Sequence, residues 1–206
     1  MKQIKANGYC GFRALALQLY GDQEQYPKIK QTMLNHLLAN YEFYLNILAK
    51  GNDDILKNLV HKLEFGITPE TAHHTSCSSN YWFNGAMDTQ ITADTYTTPI
   101  AVFDERPLWK SFLFLPFTIP SDTNRQPQPI NMFLKSNHFT VIDLIPSRAR
   151  HMVWPAVKPY HEAGWGILGL NADYNTTWKY IHRKRLTQEE KQFLEISDTV
   201  DTIDLV

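Results

Sequence analysis

Apolar residues recur at two different spacings in this chain, and the change between them falls near residue 98. In the first third they lie three and four apart, as along one helix face: Ile29, Met33, Leu37 and Leu38, then Tyr41, Leu45 and Leu48. In the middle they form short runs of β-branched and aromatic residues, separated by proline and polar breaks. Helices gathered ahead of strands predict an α+β fold with a helical N-terminal part and a central mixed sheet.

The individual elements follow from start and stop signals. Residues 12–19 form a short apolar helix that Gly21-Asp22 ends. Pro27 suits an early position in a second helix, which the spacing carries through Leu48 to a stop at Gly51-Asn52-Asp53. Asp53 or Asp54 is placed to cap a third over residues 55–65, and Asp88 or Thr89 a fourth over 88–96. Residues 99–103, 111–117, 130–134 and 138–144 read as strands, and the break at Lys135-Ser136-Asn137 joins the last two in a hairpin. Beyond residue 145 the pattern is irregular: the chain divides into a domain over 1–145 and a C-terminal extension over 146–206. The extension carries one predicted helix at 186–194, and its last ten residues are acidic and frayed.

Composition excludes several roles. A chain of 206 residues with 43% hydrophobic content can bury a sizeable core. Its net charge of −1 carries no electrostatic footprint for nucleic acid, and the basic run at residues 179–185 reads as a solvated face. No run reaches the ~18 apolar residues of a membrane span, and no signal-like apolar segment opens the chain. Two cysteines, Cys10 and Cys77, are too few for a disulfide framework, so a reduced cytoplasmic setting and a monomer are expected.

Cys10 has the most distinctive chemical setting. It sits in Asn7-Gly8-Tyr9-Cys10-Gly11-Phe12-Arg13, where a glycine turn delivers it to the first turn of a helix. A helix N-terminus favours negative charge, and thiolate is the nucleophilic form of cysteine, so such a setting can bring the thiol well below its ordinary ~8.5. A thiol nucleophile needs a base. Of eight histidines, His36 and His61 fall inside predicted helices, and His73, His74, His151, His161 and His182 fall in loops or the C-terminal region. Only His138 opens an alternating strand, and a cysteine at a helix start paired with a histidine on a sheet is a papain-like arrangement. His73, His74 and Cys77 lack a fourth ligand at zinc spacing, and no metal or other cofactor is expected.

The block Asn-Gly-Tyr-Cys-Gly-Phe-Arg-Ala-Leu resembles the Asp-Gly-x-Cys-x-Phe-Arg-Ala signature of ovarian-tumour (OTU) cysteine proteases. Tyr81-Trp82-Phe83-Asn84-Gly85, the helix after Asp88, Thr98-Pro99-Ile100-Ala101-Val102-Phe103 and Asn137-His138-Phe139-Thr140-Val141 resemble later landmarks of that family, in its order. The resemblance implies a papain-like OTU fold and thiol-dependent hydrolysis of peptide or isopeptide bonds at the C-terminus of ubiquitin or a ubiquitin-like modifier. It implies Cys10 as nucleophile, His138 as general base, and backbone N–H groups of Gly8, Tyr9 and Cys10 at the oxyanion.

Two departures leave the third catalytic residue open. Asn7 stands where the family often has aspartate, and Thr140 where it often has asparagine or aspartate two residues after the histidine. Asn7 could orient His138 through its side-chain carbonyl, take part in holding the oxyanion, or fix the loop by a local Asx bond. Thr140 shares a strand face with His138, and Asp143 or Asp104 are more remote acids. Trp82, Phe83 and Trp109 are candidates for a substrate groove, and Asp88, Asp104 and Glu105 for contacts to a basic partner surface. The alternatives are a catalytically weak ubiquitin-binding module of the same fold, or a processing protease domain of a viral or mobile-element polyprotein.

Overall fold

The computed structural model describes residues 3–72, 74, 76–105, 111–117 and 129–142, and the backbone of 156–157. Trp109, His73, His151, His161, His182, Asp143, the predicted helix at 186–194 and nearly all of the extension lie outside the described residues. Five helices precede the sheet: α1 (Cys10–Tyr20), α2 (Tyr26–Ala39), α3 (Tyr41–Ile47), α4 (Asp53–Glu64) and α5 (Met87–Tyr96). The strands are β1 (Ile100–Asp104), β2 (Phe112–Phe114), β3 (Ile130–Lys135), β4 (His138–Val141) and β5 (Ala156–Val157), ordered β4-β3-β1-β2-β5. Pairing is parallel for β1–β3 and β2–β5 and antiparallel for β1–β2 and β3–β4, so the fold is α+β with a mixed sheet.

The near-continuous apolar run of β1 has a physical cause: both faces of the sheet are covered. Ile100 and Val102 face the larger cluster, with Phe12 and Leu15 of α1, Met33 and Leu37 of α2, and Leu59 and Leu63 of α4. Ala101 and Phe103 face a second cluster with Leu113, Leu115 and Phe117, against which Phe43 and Ile47 of α3 pack. Phe12, Leu15, Met33 and Leu63 are fully buried, each contributing roughly 1.5–3 kcal/mol of transfer free energy.

Three helix boundaries differ from expectation. The second predicted helix is two, because Asn40 sits at φ −122° and its Nδ2 donates to His36 O at 2.8 Å, a side-chain bond that competes with the helix ladder. The cap of α4 is Asn52, whose Oδ1 accepts the Asp54 N–H at 3.1 Å, so Asp53 and Asp54 lie inside the first turn. Asp88 does not cap α5. Instead Asn84 Oδ1 accepts the amides of Ala86 (2.8 Å) and Met87 (3.3 Å), and Asp88 is a buried partner of Lys62.

Strand β2 stops at Phe114, short of the predicted end, because α5 takes over its backbone. Gln90 Nε2 donates to Leu115 O at 3.0 Å, and Asp94 Oδ1 accepts the Phe117 N–H at 2.7 Å. The β3–β4 hairpin forms as expected. Ser136 (φ 48°) and Asn137 (φ 63°) are both left-handed, the conformation a two-residue hairpin turn requires, and Lys135 pairs with His138. Glu105 braces this turn, its Oε1 accepting the Ser136 N–H (2.6 Å) and hydroxyl (3.1 Å). That bond gives Glu105 a structural partner in the chain itself.

Candidate active site

Cys10 is the first residue of α1, and no side chain caps the helix at Tyr9. The amides of the first turn therefore have no intrahelical acceptor. The thiol is 8% exposed and lies against the edge strand β4, where the Phe139 N–H points outward from the sheet to Cys10 Sγ at 3.5 Å. His138 is the adjacent residue, half-buried at the start of β4. Cys10 and the His138 segment, distant in sequence, are thus brought together.

Phe83 explains how that juxtaposition is held. Its ring meets Phe12 of α1 edge-on at 5.1 Å and Phe139 of β4 edge-on at 5.3 Å. Gly11 gives it room, since a Cβ there would stand 2.4 Å from Phe83 Cβ and Cγ. Phe83 is 6% exposed, so it is a core wedge between the cysteine helix and the histidine strand rather than a groove wall, correcting the sequence expectation. At the far end of α1, Gln18 exchanges two 3.1 Å hydrogen bonds with the Asn131 backbone of β3.

The turn before Cys10 is built around Gly8, at φ +87°. A Cβ there would also stand 2.6 Å from Cys77 Sγ and 2.8 Å from Trp82 Nε1, so both conformation and space require glycine. Trp82 is 39% exposed, its Nε1 donating to Cys77 O at 3.2 Å, which leaves an accessible indole beside the turn. Tyr9 is fully buried, stacked on Tyr26 at 4.8 Å, with its hydroxyl reaching His74 O at 3.5 Å.

Lys30, buried on α2, lies 5.2 Å from the Tyr9 ring centroid and 4.9 Å from that of Phe12, and donates to Phe65 O. Burial pulls its ammonium down to about 8. Burial also pushes the Cys10 thiol above its ordinary value, against the opposing pull of the Phe139, Gly11 and Cys10 amides. The sequence expectation of a lowered thiol is therefore reversed: desolvation outweighs the helix-start amides.

Asn7 Oδ1 accepts the Tyr9 N–H at 3.4 Å and Arg13 Nε at 3.2 Å. Those donors fill the two lone pairs of the carbonyl, so orientation of His138 through the Asn7 carbonyl gives way to the Asx reading. The same bond turns the Tyr9 amide toward Asn7, away from the oxyanion set of Gly8, Tyr9 and Cys10. Thr140 shares the half-buried face of β4 with His138, and its hydroxyl donates to Phe133 O at 3.5 Å on the neighbouring strand. Asp88 is fully buried, with Lys62 Nζ at 3.1 and 2.9 Å from its two oxygens, and has no surface to offer a partner. Arg13, Gln18 and the Phe139 amide were missed in the sequence. Arg13 left a signal, as the one charged residue of α1 and a member of the cysteine block.

These elements define an α+β domain with a cysteine at a helix start facing a histidine-bearing edge strand. No family profile matches the chain. It is 24% identical over 103 residues to OTU domain-containing protein 5 of Homo sapiens and to OTU domain-containing protein 5-A of Xenopus laevis. The match covers 50% of this chain but only 15% and 17% of those relatives. Among solved structures it is similar to the OTU domain of OTUD1 (TM-score 0.47, 16% identity, 69% of this chain and 84% of that one). It is also similar to the viral OTU domain protease of Dera Ghazi Khan virus (0.45, 14%, 69% and 80%). The sequence similarity is thus to OTU domain-containing proteins, and the cysteine, tryptophan and histidine blocks of this chain follow one another in the order described above.

Proposed function

We propose that the chain is a thiol hydrolase that cleaves peptide or isopeptide bonds at the C-terminal glycine of ubiquitin or a ubiquitin-like modifier. The observation that carries the reading is the approach of Cys10 Sγ to the Phe139 amide, which sets the thiol one residue from His138. His138 takes the Cys10 proton, and the thiolate attacks the carbonyl of the modifier's terminal glycine. The amides of Gly8 and Cys10 are the oxyanion donors, each such donor being worth ~10²–10³ in rate. The imidazolium returns its proton to the departing amine, leaving a thioester. His138 then deprotonates water, which attacks the thioester and releases the modifier as a carboxylate with Cys10 again a thiol. Trp82 is the groove residue of choice, since of the two described candidates it is the one exposed beside the Gly8 turn. Catalysis through a free thiol suits a reducing compartment, and we place the protein in the cytosol.

Cys10 is only 8% exposed, and that burial, which raises its thiol, supports the weak-enzyme or binding-module alternative. A ubiquitin probe with a thiol-reactive C-terminal electrophile separates the two. Hydrolase chemistry predicts a covalent adduct in wild type, lost in Cys10→Ala and slowed in His138→Ala. Binding of ubiquitin without any adduct in wild type supports the module and refutes the hydrolase.

A further inference from the structure

Arg13 is 4% exposed, and its contacts exceed what a helix residue needs to pack. Nε donates to Asn7 Oδ1 at 3.2 Å and Nη1 to Gln23 O at 3.3 Å; Nη1 also pairs with Glu24 Oε2 at 2.9 Å. The guanidinium carbon Cζ lies 4.3 Å from the Tyr26 ring centroid, over the ring, and Tyr26 stacks on Tyr9. Arg13 therefore holds the cysteine turn on both sides of Gly8: at Asn7 directly, and at Tyr9 through the ring stack. The Asn7 backbone is tied down as well, its carbonyl accepting the Cys77 N–H at 3.2 Å.

We propose that Arg13 is a positioning residue that acts through Asn7 to fix the conformation of residues 7–10. It thereby sets the direction of the amides that surround the Cys10 thiol. The residue type follows from the geometry. Only a planar fork can stack on one ring while its N–H groups reach Asn7, Gln23 and Glu24 in different directions, whereas a lysine ammonium is a point charge without a stacking plane. Glycine at position 8 makes this restraint necessary, since a residue without Cβ leaves the turn free to explore several conformations. The inference rests on the hydrolase reading for its kinetic consequence but not for its structural one.

The test uses the full chain as Arg13→Lys, Asn7→Ala, the double variant and Asn7→Asp. Three readings are taken: turnover of a ubiquitin C-terminal amide substrate, the pH profile of Cys10 alkylation by iodoacetamide followed on the Cys10 peptide, and thermal unfolding. Each single variant is expected to lower kcat by ~10-fold or more with KM within about twofold, the mark of an interaction used in the transition state. The double variant is expected to be no slower than the worse single, because the bond the two substitutions share is the Arg13–Asn7 bond through which the positioning acts. Asn7→Asp is expected to recover most of the rate lost in Asn7→Ala, since a carboxylate accepts the same Arg13 and Tyr9 donors.

Losses that multiply to ~100-fold in the double variant, or kcat held within twofold in Asn7→Ala, overturn the proposal. Should Arg13→Lys unfold, the Asn7 pair carries the test by itself. The alkylation profile separates this failure from that of the hydrolase reading. A profile unchanged between wild type and the folded variants overturns the positioning role. A shifted profile in a protein that never labels with the ubiquitin probe supports positioning while refuting the hydrolase.

Discussion

Replacing Gly11 with alanine sets two effects of opposite sign against each other. Gly11 lies in the first turn of α1, and helix propensity alone says that alanine stabilises there by at most ~1 kcal/mol. The added methyl, however, would stand 2.4 Å from Phe83 Cβ and Cγ and 2.7 Å from Cδ1. These are the root of the side chain, not a flexible end that could swing clear. Phe83 is also blocked behind, by Phe12 on one side and Phe139 on the other. Overpacking costs ~1–3 kcal/mol, and a clash with a trapped ring belongs at the top of that range. The balance is a net loss of about 2 kcal/mol. For a chain of this size that corresponds to a melting temperature lower by roughly 4–8 °C, read by calorimetry or circular dichroism. Because the ring is displaced toward Phe139, whose amide meets Cys10 Sγ, turnover should fall more than stability alone accounts for. Gly11→Ala in a Phe83→Gly background, which removes the Cβ, Cγ and Cδ1 atoms of the clash, should cost nothing or stabilise. A Gly11→Ala single variant that melts higher than wild type refutes the reasoning, since propensity would then have won over packing.

Burial holds the Asp94 carboxyl up at about 7, against hydrogen bonds from the Phe117 amide, Tyr44 and Gln90. A carboxyl raised from ~3.9 in the unfolded chain favours the fold fully below that value and costs stability as pH climbs from about 4 to about 7, by up to ~4 kcal/mol. Asp94→Asn should flatten that dependence in urea titrations at pH 5 and pH 8, with Tyr44 free to donate to His36, 2.9 Å away. Equal slopes in the two proteins would count against it. Lys62→Ala leaves Asp88 buried without its cation and should destabilise by ~3–5 kcal/mol at pH 8, and by less as the pH is lowered, since burial already raises that carboxyl. A loss independent of pH would assign the effect to packing alone. Asn137→Gly relieves a left-handed side chain at φ 63° in the hairpin before His138 and should stabilise by ~0.5–1 kcal/mol; a lower melting temperature would show that the Asn137 side chain matters more than its backbone.

Much of this molecule could be read from local pattern. Helical spacing, the Gly21 stop, the alternation of β4 and the hairpin break are properties of short segments, and each appears in the structure within a few residues. Cys10 and His138 also announced themselves locally, as a thiol after a glycine turn and an imidazole opening a strand. Where the sequence reading failed, the cause was a partner distant along the chain. Asp88 looks like a cap or a surface acid until Lys62 is found across from it, and Phe83 looks like a groove residue until Gly11 opens a slot for its ring. Asn7 was a candidate orienting group because nothing in its neighbours shows that Arg13 would fill its carbonyl. The sign of the Cys10 shift was likewise out of reach: the favourable amides are local, whereas the desolvation that outweighs them comes from the core closing over the thiol. Local chemistry thus named the proposed nucleophile and base. Only tertiary packing decided how the cysteine turn is held and how hard its proton is to remove, because burial and cross-chain hydrogen bonds exist only once distant segments meet.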